Sequence, residues 1–122
     1  MLFGVIFTRD REKITPEKVR HEEIHFRQML EIDIMCACVI AFFAIFSMLT
    51  WWWMLASAVA YYTVYALCWI MELILPPYNH AYGNICLESE AIYNMGDEDY
   101  LKHRPRFAFL KYISNSKYPY PR

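Results

Sequence analysis

The stretch Ile34–Met71, IMCACVIAFFAIFSMLTWWWMLASAVAYYTVYALCWIM, decides how this chain folds. It runs for 38 residues without Asp, Glu, Lys, Arg or His, between Asp33 and Glu72. As one straight helix it would be about 57 Å long, almost twice the roughly 30 Å hydrocarbon core of a bilayer. The run therefore folds back once. Ser47–Trp53 is the expected reversal, because Ser and Thr satisfy freed backbone groups and three consecutive Trp suit a membrane–water interface. Two transmembrane spans follow, near residues 34–50 and 53–75. A chain of 122 residues is too short to wrap two helices that are apolar on every face.

The charges flanking this run set its orientation. Residues 1–33 carry six Lys/Arg, residues 77–122 carry six more, and the reversal carries none. Under the positive-inside rule both ends face the cytoplasm. No cation precedes the short apolar stretch Leu2–Phe7, so the beginning does not read as a secretory signal. The whole reads as one integral-membrane domain: a cytoplasmic part (1–33), the hairpin (34–75) and a second cytoplasmic part (76–122). A net charge of -1 leaves no basic excess for a nucleic-acid partner. The lipid bilayer is the expected partner. Cys36, Cys38, Cys68 and Cys86 form no C-x-x-C pair and read as reduced apolar filler.

The expected architecture is all-α. Thr15-Pro16-Glu17 combines a hydroxyl N-cap, Pro at the first helical position and an acid in the first turn. With no Gly or Pro between Pro16 and Pro76, one helix is expected from Pro16 to about Thr50, amphipathic first and lipid-exposed later. A third helix is expected from Asn84 to Met95, stopped by Gly96, with a shorter segment at Phe107–Ile113. Leu2–Thr8 reads as a short N-terminal strand or an interfacial segment.

On the amphipathic half of the first helix, His21-Glu22-Glu23-Ile24-His25 satisfies H-E-x-x-H. A spacing of four puts both imidazoles on one face, about 40° apart around the axis, where they can converge on one Zn²⁺. Glu22 sits beside them, placed to take the proton of a water activated by the metal. The same residues also suit an ordinary solvated helix face with two incidental His. A catalytic zinc needs a third protein ligand besides this pair.

Downstream, Glu88-Ser89-Glu90-Ala91-Ile92 resembles the E-x-x-A-D pattern of gluzincin metallopeptidases, above all the membrane-bound CAAX-processing and heat-shock peptidases. The resemblance implies Glu88 as the third ligand and Ala91 as the small residue that lets two helices approach. It departs at Ile92, where the family pattern has Asp; Gln28 or Asn94 would then have to orient a ligand His. H-E-x-I-H-x-x-Q, the apolar hairpin, E-x-E-A and the basic aromatic tail also resemble a group of short bacterial membrane proteins, which implies a bacterial inner membrane. Glu90, His80 and Asp97 compete with Glu88 for the third place. The 63 residues between His25 and Glu88 are no obstacle, since one excursion through the bilayer returns the chain to the side it left.

The tail Lys102–Lys111 mixes cations with aromatics, either to hold that end against anionic headgroups or as an ordinary positive-inside flank. His103 and Tyr93 are candidate donors to an oxyanion, and nothing in the spacing selects either. E-x-x-H occurs without the second copy that a di-iron bundle needs. G-x-S-x-G and Gly-rich phosphate loops are absent. Two functions stand: a minimal zinc metallopeptidase acting on a peptide or protein substrate at the cytoplasmic surface, its cleft completed by a homo-oligomer or the bilayer, and a non-enzymatic hairpin scaffold with a structural or vestigial metal site.

Overall fold

The computed structural model describes residues 14–46, 49–74 and 81–113. The Leu2–Thr8 segment, part of the reversal (Ser47, Met48) and His80 lie outside them. The described residues form an all-α structure: α1 (Pro16–Ile45), a 3₁₀ turn (Trp51–Trp53), α2 (Met54–Ser57), α3 (Ala60–Ile74), α4 (Ala81–Asn84), α5 (Cys86–Asn94), α6 (Tyr100–His103) and a closing 3₁₀ segment (Ala108–Tyr112). α3 and α5 both pack on α1.

α1 begins as its sequence dictates. Thr15 is extended, its hydroxyl accepts the Lys18 N–H at 3.3 Å, and Pro16 opens the first turn. At 30 residues the helix is about 45 Å long, and it is long and apolar enough to cross a membrane. Its two halves differ in what they bury. In the first, Ile24, His25, Gln28, Met29 and Ile32 form a buried stripe at helical spacing. Beyond Asp33 only Ile40 and Ala44 are buried, while Ile34, Met35, Val39, Phe42, Phe43 and Ile45 stand exposed.

The return arm departs from expectation. α1 stops at Ile45, short of Thr50, and what the sequence presents as one continuous helix is broken: the Trp51–Ser57 and Ala60–Ile74 pieces meet at 54°. Asp33 accounts for the break. Its Oδ1 accepts the backbone N–H of Tyr61 at 2.9 Å, supplying from α1 a partner for a donor in the first turn of α3. The acid that closes the charged half of α1 thus works as a cap for a different helix. Asp33→Ala is expected to cost about 1 kcal/mol, the usual value of a lost cap, and Asp33→Asn much less, read as the shift in unfolding midpoint of detergent-solubilised protein.

The third predicted helix is split as well. Ile85, with ψ 128°, interrupts it and buries its own side chain completely. α5 then ends at Asn94, two residues before Gly96, and the stop owes nothing to a left-handed glycine. The only described non-glycine residue with positive φ is Phe107 (φ 53°), whose N–H donates to Glu31 Oε2 at 3.0 Å. Met29, Ile32, Tyr61, Ile85, Leu87 and Phe109 are among the residues of the core between α1, α3 and α5. Burying Ile85 and Leu87 fully contributes about 1.5–3 kcal/mol each. The four cysteines are free, and of them only Cys86 is buried.

Candidate metal centre

α5 is unusual for so short a helix. Every residue from Cys86 to Ala91 is buried, two glutamates and a serine included, so each polar group needs an internal partner. Ser89 finds one in Gly83 O at 3.0 Å. Ala91 is wholly buried, as expected of a small residue at a helix–helix approach. The two glutamates point to different places.

Glu88 faces His21 and His25. Its carboxylate lies 3.3 Å from His25 Nε2 and 3.4 Å from His21 Nε2, and the two Nε2 atoms are 3.1 Å apart. His21, His25 and Glu88 offer ligand atoms that all lie within 4.8 Å of one another, a set able to hold a metal ion. The 63-residue gap in sequence therefore closes to atomic contact. A regular tetrahedron around a metal at about 2.0–2.1 Å has edges of about 3.3–3.4 Å, and these separations are close to that length, with each histidine facing a different oxygen of Glu88.

The hydrogen bonds around the trio fix what each atom offers. Gln28, wholly buried, donates its amide to Leu87 O at 2.9 Å and Glu90 Oε2 at 3.0 Å. Its Oε1 is thereby left as an acceptor, taking the N–H of His25 Nδ1 at 2.8 Å. Tyr61 Oη lies 3.3 Å from the same nitrogen. In the neutral ring, His25 Nε2 is then a bare lone pair turned toward His21 and Glu88. Tyr65 and Tyr82 both donate to Glu88 Oε1, at 2.6 and 2.7 Å. Glu88 Oε2 is buried with no hydrogen-bond partner. Two imidazole nitrogens and this donor-free oxygen form a set that could hold a cation.

The ionisation pattern agrees. Burial favours a neutral Glu88, yet the hydrogen bond and charge of His25, with the tyrosine hydroxyls, hold its pKa down to about 2. Burial also opposes a charge on His25, but the hydrogen bond and charge of Glu88 outweigh it and raise its pKa. His21 is shifted downward by burial and by its neighbour His25. Burial and the bond to Glu88 push Tyr82 up to about 12, so it remains a donor at neutral pH.

A cavity of about 220 Å³ opens beside the trio, and Glu22 lines it together with Tyr61, Tyr62, Tyr65 and Tyr82. The proposed proton acceptor and the three candidate ligands therefore share one wall. His103 and Tyr93 are exposed and do not line this cavity. Asp97 is exposed too.

Glu90 serves a different cluster. It accepts Tyr100 Oη–H at 2.9 Å and Arg104 Nε–H at 2.5 Å on Oε1. Arg104 also makes paired bonds to Glu31 at 2.7 and 3.1 Å. An unbroken chain of bonds thus runs from His25 through Gln28, Glu90 and Arg104 to Glu31. Gln28 orients a candidate ligand, as the sequence suggests; Asn94 does not. The Asn94 amide donates to Glu90 O at 2.7 Å and Tyr112 Oη at 2.9 Å.

Arg104 and Glu31 carry no motif, and the tail around Arg104 reads from sequence as a surface flank. The structure instead buries this guanidinium, its side chain 4% exposed, whereas Lys102 pairs with Asp99 in solvent. The tyrosines did leave a signal: Tyr61-Tyr62-x-x-Tyr65 puts hydroxyls at helical spacing inside an otherwise apolar run, and buried hydroxyls need partners. In comparisons with protein-family models, curated proteins and solved structures, nothing matches this chain.

Proposed function

We propose that the chain is a minimal integral-membrane zinc metallopeptidase of gluzincin type, in which His21, His25 and Glu88 hold the metal and Glu22 is the general base. The observation that carries this reading is the convergence of two Nε2 atoms, 3.1 Å apart, on the Glu88 carboxylate, whose Oε1 lies 3.3 Å from His25 and whose donor-free Oε2 lies 3.4 Å from His21, with Glu22 on the wall of the same cavity. When bound in such a site, zinc supplies Lewis acidity, making a water acidic near neutral pH and polarising a peptide carbonyl. The chain's own residues do the rest. Gln28 fixes the tautomer and ring plane of His25, Tyr65 and Tyr82 hold the Glu88 carboxylate in place, and Glu22 takes and returns a proton at its carboxylate.

The membrane part of the proposal is two spans with both ends cytoplasmic. α1 forms the first with its uncharged half from Ile34 onward, where Ile34, Met35, Val39, Phe42, Phe43 and Ile45 are exposed. The bent Trp51–Ile74 arm forms the second, with Trp51, Trp52 and Trp53 exposed at the far surface. The candidate site then lies where α1 leaves the hydrocarbon, at the level of the cytoplasmic headgroups.

Glu22→Gln decides between the enzyme and a scaffold with a structural metal. In protein reconstituted into vesicles and supplied with a quenched-fluorescent peptide library, the variant is expected to keep its zinc and to cleave about 10²–10⁴-fold more slowly than wild type. Undiminished turnover in the variant removes Glu22 from the mechanism. Zinc-loaded wild-type protein that cleaves nothing leaves the scaffold reading in its place.

A further inference from the structure

A second cavity of about 650 Å³ lies on the other side of α1 and shares no lining residue with the metal centre. Its volume falls within the roughly 300–1,000 Å³ typical of small-molecule clefts. Leu30, Ile34, Met35 and Phe107 give it an apolar wall, and its charged lining is the exposed Arg27 and Arg106 together with the mutually paired Arg104 and Glu31. Neither arginine has an acidic partner among the described residues, whereas the nearby Arg104 is saturated by Glu31 and Glu90.

We infer that this cleft binds one anionic phospholipid, its phosphate between Arg27 and Arg106 and an acyl chain along Leu30, Ile34 and Met35. The inference rests on the membrane reading of α1. Val39 and Phe42, exposed one and two turns beyond Met35 on α1, offer further apolar surface on which a chain seated there would run on into the bilayer. The levels match too. Headgroups extend about 5–8 Å beyond the hydrocarbon. Arg27 precedes Ile34 by seven residues, about 10 Å along the helix, and its long side chain reaches the phosphate plane. An acidic peptide would satisfy the arginines but leave the apolar wall, which faces lipid, without a role.

The test uses full-length protein in a neutral detergent, titrated with dioctanoyl phosphatidylglycerol and followed by its thermal midpoint. A saturable rise is expected, absent with dioctanoyl phosphatidylcholine or glycerol phosphate. Arg27→Gln/Arg106→Gln is expected to weaken it about 30-fold, two cations at about fivefold each. Lys102→Gln/Lys111→Gln, which removes as much charge elsewhere, leaves the response intact. Equal responses to both lipids, to glycerol phosphate or to an acidic heptapeptide, or equal losses in both double variants, overturn the proposal. Zinc content and carbonate-resistant membrane association of Arg27→Gln/Arg106→Gln are expected at wild-type levels. Their loss would indict the metal or membrane reading, whereas a missing lipid preference with both retained indicts this cleft alone.

Discussion

Detergent-purified wild-type protein is expected to carry about one zinc per chain, and His21→Ala and Glu88→Gln to carry less than about a tenth of that. His21→Ala removes one of two imidazoles from a set of three. Glu88→Gln is the sharper probe, because an amide keeps the shape and can still accept from Tyr65 and Tyr82 at Oε1. What it loses is the negative charge and the donor-free Oε2 lone pairs that face His21. Stability supplies a readout independent of activity. Free zinc at a hundredfold excess over its dissociation constant stabilises a binding protein by about 2.7 kcal/mol. The thermal midpoint of wild type should therefore rise with zinc and fall with chelator, while neither variant responds. Equal zinc in all three proteins would dissolve the metal centre as described.

The second large effect is expected far from any ligand. Arg104→Met should destabilise the protein by about 3–5 kcal/mol, a large share of the roughly 5–15 kcal/mol that holds a domain together. The guanidinium is buried and divides its donors between Glu31 and Glu90, whose side chain has no exposure at all. Removing it strands two carboxylates inside the protein. A triple variant, Arg104→Met with Glu31→Gln and Glu90→Gln, is expected to recover much of the loss, because no unpaired charge is then left behind. Denaturant midpoints compare the three proteins. An Arg104→Met midpoint within about 1 kcal/mol of wild type, the scale of a surface ion pair, would show that the pair is solvated.

The Arg104 cluster also explains the placement of the histidines. Glu90 holds Gln28, Gln28 holds His25, and Tyr61 and Tyr65 approach the site from a helix whose first turn is fixed by Asp33. α5 is thereby clamped through its buried polar side chains as much as through its apolar ones. Arg20 adds a further tie, donating from Nε to Met95 O at 2.7 Å, just past the end of α5, where a cation is stabilised by the negative end of the helix dipole.

What the sequence by itself determined is local. The cap at Thr15, the long helix behind it, the lipid-like apolar face and the pairing of His21 with His25 all follow from spacing along one chain segment, which the 3.6-residue turn converts directly into geometry. Only the tertiary structure decided which acid of α5 meets those histidines. Glu88 and Glu90 lie about 200° apart around their axis, and both are buried, so the choice depends on how α5 is rotated against α1. That rotation is set by Arg104, Glu31 and Gln28, residues up to 76 positions from one another in sequence, none of which carries a motif. The break in the return arm has the same origin. Nothing near Ala58 and Val59 announces it, because the group that accepts the Tyr61 N–H sits on another helix. Spacing specifies neighbours within a helix, whereas contacts between helices depend on the packing of every side chain at once.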